Sequence, residues 1–135
     1  MIVVEYIKDD SMSQYLKSNY NELNLKNKLN LFRNIAQGLK DIHNKGFVHK
    51  DLHSGNILSY NEYNCYITDL GLCKPVDDQD EKKIHGVLPY VAPEVLRGKT
   101  YTKSADIYSF GILAYDKILL DYHQIMIWLI MNFLL

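Results

Sequence analysis

Cysteine is nearly absent from this chain: Cys65 and Cys73 are the only two, and they form no C-x-x-C pair. That excludes a disulfide-stapled scaffold and fits a reducing, intracellular setting, which we expect to be cytoplasmic. A charge excess is missing too, because 15 basic and 16 acidic residues intermingle to a net charge of −1. Neither a nucleic-acid footprint nor an acidic tail is therefore expected. The longest apolar run is Ile125 to Met131, and adding Asn132 to Leu135 still leaves it well short of the roughly 20 residues a membrane span needs. The start, Met1-Ile2-Val3-Val4-Glu5, has no basic stretch and too short an apolar run for a signal peptide. Repeats and low-complexity segments are absent, and 135 residues suffice for one domain that buries about two-thirds of its unfolded surface. Two further absences are local. Residues 72–89 contain no Ser, Thr or Tyr, and residues 112–135 contain no Gly or Pro.

What is present concentrates between residues 25 and 111. Leu25, Leu29, Phe32, Ile35, Leu39 and Ile42 recur every three or four positions, which predicts one apolar helix face, with Gly46 as its left-handed terminator. The chain then runs through Phe47-Val48 into His49-Lys50-Asp51-Leu52-His53-Ser54-Gly55-Asn56. Ile57 to Tyr60 and Cys65 to Thr68 read as strands of a hairpin around Asn61 to Asn64, which returns Asp69-Leu70-Gly71 toward Asn56. Ala92-Pro93-Glu94 and Asp106-Ile107-Tyr108-Ser109-Phe110-Gly111 follow.

These segments in this order resemble the eukaryotic-type protein kinase domain, most closely its tyrosine-kinase-like group. His49 to Asn56 has the H-x-D-L-x-x-x-N layout of the catalytic loop, and Asp69-Leu70-Gly71 is similar to the D-F-G motif, with Leu for Phe. Ala92-Pro93-Glu94 resembles the A-P-E that closes the activation segment, and Asp106 begins a D-x-x-S-F-G helix. The resemblance implies a protein-kinase-like α+β fold, mainly an α-helical C-lobe with a short catalytic-loop hairpin, and with most of the β-rich N-lobe absent. Its expected divisions are residues 1–8 as the last N-lobe strand and hinge, 9–115 as a partial C-lobe, and 116–135 as an off-pattern apolar tail. The tail is expected to arise from a shifted reading frame or an alternative exon, because the family pattern stops near Tyr115.

The same resemblance implies ATP and Mg²⁺ as cofactors, with transfer of the γ-phosphoryl group to a hydroxyl of a protein substrate, expected to be Ser or Thr. Asp51 would be the catalytic base, with His53 beside it where such kinases carry a phosphate-contacting Lys; Asn56 and Asp69 would hold the metal. The Glu5 and Ile7 backbone would meet adenine, next to Val4 as gatekeeper, and Leu58 would line the same nucleotide site. His49, Lys50, Leu70, Gly71, Glu94 and Asp106 would support the site, Asp106 by holding the catalytic-loop backbone.

Departures from the pattern qualify this. The Gly-rich phosphate loop and the strand lysine do not occur, so autonomous turnover is expected to be low. Lys50 replaces the Arg that docks a phosphorylated loop, and Lys is a poorer clamp for phosphate. Leu70 is expected to fill the slot of the usual Phe with slightly less packing. A binding module that engages a partner kinase or scaffold, or a fragment of a longer kinase, is the alternative. A zinc reading of His49, His53, Cys65 and Cys73 is disfavoured by Gly55, which indicates a loop rather than the helix that H-x-x-x-H ligation prefers. His43 and His85 are expected to face solvent. With no hydroxyl in residues 72–89, phosphorylation of that stretch cannot control activity. Phosphosite mapping by mass spectrometry should find the nearest acceptor, Tyr90, unmodified in active protein; an activating phosphate on Tyr90 would overturn this expectation.

Overall fold

The computed structural model describes residues 24–59, 61, 64–76 and 84–119. The hinge readings on Val4, Glu5 and Ile7, and most of the apolar tail, lie outside them. Among the described residues no helix is long and apolar enough to cross a membrane.

Helix α1 spans Leu25–Asn44. It starts at Asn24, whose side-chain oxygen accepts from the Asn27 N–H at 2.9 Å, replacing a partner that the first helical turn lacks. It stops where Gly46 takes φ +78°, a conformation free of strain only for glycine. Its buried line is Lys28, Leu31, Phe32, Ile35 and Leu39. Leu25 and Leu29 of the expected stripe are exposed instead. Leu29 sits one residue step, about 100° of rotation, from Lys28 and so falls at the edge of the face; Leu31, which the stripe omitted, is fully buried.

Four short strands follow. β1 (Phe47–Val48) pairs antiparallel with β4 (Lys74–Pro75), and β2 (Ile57–Ser59) pairs with β3 (Cys65–Ile67), placing Leu58 opposite Tyr66. The β2–β3 turn is tightened by Asn61, whose side-chain oxygen accepts from the Asn64 N–H at 2.9 Å. The expected hairpin therefore forms, with β3 ending at Ile67, one residue before the expected Thr68, while Tyr60, the expected last residue of β2, lies outside the described residues. Helix α2 (Pro93–Leu96) opens with proline, which suits a first turn whose N–H is unpaired anyway. Helix α3 (Lys103–Ala114) is capped by the Thr102 hydroxyl and continues into one wider turn, Tyr115–Leu119.

The core joins these elements. Leu31, Phe32, Ile35 and Leu39 of α1 meet Leu52, Ile57, Cys65 and Leu113. Phe32 and Phe110 add an edge-to-face pair with ring centroids 6.0 Å apart, so α3 is seated directly on α1. Fully burying each large aliphatic contributes about 1.5–3 kcal/mol, which is what lets a lobe with such small sheets hold its loops still. A second cluster, Val91, Ala92, Val95 and Ala105 with Tyr101, anchors the segment that leads into α3.

Cys65 belongs to the first core and its Sγ donates to the Leu31 carbonyl at 3.1 Å. Burial pushes its thiol up to about 12 from 9.0. The folded state thus keeps a proton that the unfolded chain releases near pH 9.0. Stability from this group is complete below pH 9.0 and declines as pH rises from there toward 12. Urea unfolding at about pH 8 and about pH 10.5 should show that decline, and it should shrink in Cys65→Ala; an equal decline in the variant would refute the assignment.

Candidate active site

The catalytic loop hangs from one buried carboxylate. Asp106, 1% exposed in the first turn of α3, accepts from the His49 N–H at 2.8 Å and the Lys50 N–H at 3.0 Å. His43 of α1 completes the set, its Nε2 lying 2.8 Å from Asp106 Oδ2. His43, expected to face solvent, is instead partly buried against this carboxylate, which lies across from α1 on α3. Those bonds hold Lys50 at φ +73°, an uncommon and strained conformation for a non-glycine residue.

His49 is wholly buried and bridges two segments. Its Nδ1 accepts from the Asp51 N–H at 3.2 Å, and its Nε2 donates to the Thr68 carbonyl at 3.0 Å. Since an N–H only donates and a carbonyl only accepts, the proton sits on Nε2. His49 thereby links the loop to Thr68, the residue that follows β3 and precedes Asp69.

Asp51 and Asn56 are brought together. Asn56 Nδ2 donates to the Asp51 carbonyl at 2.8 Å and to Asp51 Oδ2 at 3.1 Å. Both partners are acceptors, which orients the amide and leaves Asn56 Oδ1 as its free oxygen. The Asn56 carbonyl accepts from the Thr68 N–H at 2.8 Å and its hydroxyl at 3.2 Å, so Asp69 follows directly from a residue fastened to Asn56. Asp69 itself is exposed, with φ +58° and no capping bond from its side chain. Leu58 is half-buried on β2, while Glu94 is half-buried at the start of α2 and makes no ion pair among the described residues.

His53 takes a defined place. Its Nδ1 accepts from the Gly55 N–H at 3.1 Å, and its Nε2 lies 3.3 Å from Asp51 Oδ1. A Cβ on Gly55 would come within 2.8 Å of the imidazole, so the ring's position depends on glycine there. The Asp51 approach is close enough for attraction but is not aligned as a hydrogen bond, and Oδ1 is buried with no hydrogen-bond partner. Among the described residues this oxygen therefore keeps an unused lone pair.

Other expectations change. Leu70 is half exposed and, with Ile42, Phe47 and Cys73, lines an apolar cavity of about 410 Å³ instead of filling a core slot. Gly71 is exposed beside it. No three His, Cys, Asp or Glu among the described residues form a metal cluster, and the Cys73 thiol, pushed up to about 11 mainly by burial, points to the His49 carbonyl. Tyr90 stacks at 6.2 Å from His53 and donates to Asp116 Oδ2 at 3.2 Å; burial and that carboxylate raise its phenol above the ordinary value. Asp116, assigned to the off-pattern tail, thus engages the fold. Neither it nor His43 carried a local signal, since each partner is distant in sequence.

With this geometry in place, the comparisons are specific. Residues 1–123 match the protein tyrosine and serine/threonine kinase family, and the chain belongs to it. It is 31% identical over 121 residues to tyrosine-protein kinase SPK-1 of Girardia tigrina, covering 86% of this chain and 24% of that protein. Ephrin type-A receptor 5 of Gallus gallus is likewise 31% identical, over 86% of this chain and 12% of its own length. Serine/threonine/tyrosine-protein kinase HT1 of Arabidopsis thaliana is 32% identical, over 85% of this chain and 30% of its own length. The chain thus spans less than a third of each of these relatives.

Asp106→Asn should destabilise the protein by roughly 2–4 kcal/mol, because an amide nitrogen would face one of three donors with the charge gone. Urea unfolding measures it, and a loss below about 0.5 kcal/mol, the usual range of surface substitutions, would show that the carboxylate does not carry the loop.

Proposed function

We propose that this chain is the catalytic-loop part of a protein kinase that transfers the γ-phosphoryl group of Mg-ATP to a protein hydroxyl, with Ser or Thr as acceptor. The observation that carries the reading is the Asp51–Asn56 clasp, which fixes one carboxylate oxygen and leaves the other unused. In the transfer, the acceptor oxygen bonds to the γ-phosphorus as the bond to the β–γ bridging oxygen breaks and ADP leaves. The hydroxyl proton passes to Asp51 Oδ1. His53, its proton held on Nε2 by the Gly55 contact, faces the same oxygen and steadies it.

The donor set suits magnesium: Asn56 Oδ1 and the Asp69 carboxylate are hard oxygens, and few protein ligands are needed when phosphates and water complete the shell. The bound ion would neutralise charge on the triphosphate. His49, through Thr68, keeps the segment before Asp69 in register with Asn56. Glu5, Ile7 and Leu58 remain the proposed adenine contacts. Tyrosine and serine/threonine kinases both occur among the relatives, so the Ser/Thr assignment rests on the group resemblance. A platform that binds nucleotide or a partner kinase or scaffold without chemistry is the second reading, favoured by the covering of Asp51 Oδ1.

Mg-ATP should raise the thermal unfolding midpoint of the full chain, since only a ligand of the folded state stabilises it. Asp69→Asn should abolish the shift. Asp51→Asn should keep the shift while lowering any transfer by about 10²–10⁴-fold, the range for losing a general base. A cooperative transition indifferent to Mg-ATP would reject phosphotransfer and leave the binding platform.

A further inference from the structure

The unused oxygen of Asp51 is covered by a specific wall. Gly86 has φ +104°, and a Cβ there would lie 3.3 Å from Asp51 Oδ1 and 3.4 Å from the Lys50 carbonyl. The space among Asp51, Gly86, Val87, Tyr90 and Tyr101 is about 10 Å³, at the lower limit for a single water. An acceptor hydroxyl reaches Oδ1 only if the Gly86 wall moves.

One side chain outside the catalytic motifs holds that wall. Tyr101, between α2 and α3, donates its hydroxyl to the His85 carbonyl and accepts from the His85 N–H at 2.8 Å. Both backbone polar groups of the residue before Gly86 are thereby clasped by one phenol. The ring is itself fixed: it packs on the cluster of Val91, Ala92, Val95 and Ala105, and the buried Lys50 ammonium lies 5.5 Å from its centroid. His85 is accordingly half-buried, not solvent-facing as its sequence position suggested.

We infer that Tyr101 is a positioning residue that clasps His85, holds the Gly86 wall over Asp51 Oδ1 and so sets the access of the acceptor to the base. The inference rests on the reading of Asp51 as base. No phosphate is needed to seat this segment, because the clasp is made by unmodified side-chain and backbone groups.

The test uses the full chain without nucleotide. Tyr101→Phe removes the hydroxyl and keeps the ring. Amide exchange over residues 84–91 should accelerate roughly thirtyfold, the factor for losing two hydrogen bonds at about 1 kcal/mol net each, while α1 stays as protected as before. Labelling of Asp51 by a water-soluble carbodiimide and an amine should rise several-fold. Lys50→Met, which removes the cation from the ring and keeps the clasp, should shift both rates the same way by less, and it serves if Tyr101→Phe fails to fold. Unchanged exchange and unchanged Asp51 labelling in a folded variant overturn the inference. Neither readout depends on ATP, so failure of the phosphotransfer reading, seen as no Mg-ATP shift in the parent chain, is distinguishable from failure of the clasp.

Discussion

A single side-chain carboxyl group, buried where no water reaches it, sets the geometry of this lobe. Asp106 takes bonds from the backbone of His49 and Lys50 and from the His43 imidazole. Desolvating a carboxylate costs several kcal/mol, and three hydrogen bonds to a charged acceptor, at roughly 1.5–3 kcal/mol each, offset it. The balance is not strongly favourable, so a stability argument alone does not explain the arrangement. Its effect is positional: the donors come from α1 and from the loop and the acceptor from α3, and all three elements must be in place for the buried carboxylate to be tolerated. The strained backbone of Lys50 persists because it is pinned by its own N–H and that of His49.

From that anchor the order propagates outward by steps that each need the one before. His49 can bridge Asp51 and Thr68 only because its main chain is fixed by Asp106. Asn56 can face Asp51 only because Asp51 is fixed by His49. Asp69 then arrives beside Asn56 because Thr68 is fastened at both ends, to the His49 ring and to the Asn56 carbonyl. The phosphotransfer proposed above would demand such serial constraint, since misplacement by about 1 Å can cost 10²-fold in rate.

What could be read from the sequence, and what could not, divides along the distance over which each residue finds its partner. Asp51 and Asn56, five positions apart, were placed through the H-x-D-L-x-x-x-N resemblance, while the β2–β3 hairpin closes over a few residues, so turn chemistry sufficed for it. The Asp106 role came through the family resemblance, and in the fold its carboxylate accepts from the His49 and Lys50 N–H groups. His43 shows the opposite case: its partner lies 63 residues away, and nothing near it distinguishes a buried ligand of a carboxylate from a solvent-facing histidine. Leu25 and Leu29 fail for a different reason. A period-3.6 stripe identifies a face about 100° wide, and at its margin burial is decided by what packs there, which periodicity does not contain. Leu70 differs similarly, because whether it is covered depends on what packs over the cavity that it lines with Ile42, Phe47 and Cys73.

Precise placement and access oppose one another at Asp51. The packing that fixes its Oδ2 on Asn56 also brings Gly86 and His53 over Oδ1. A base left open to water would keep an ordinary hydration shell, and it would have to shed that shell before each transfer. A base sealed completely would never meet an acceptor. The structure resolves this by assigning the two demands to different supports. The inner face of the loop is held by a charge that cannot leave its partners without great cost. The outer wall is held by a neutral phenol, on net bonds of only about 1 kcal/mol each. Thermal energy can interrupt the second without disturbing the first, so on the proposed reading the wall could open for an acceptor while Asp51 and Asn56 stay in register.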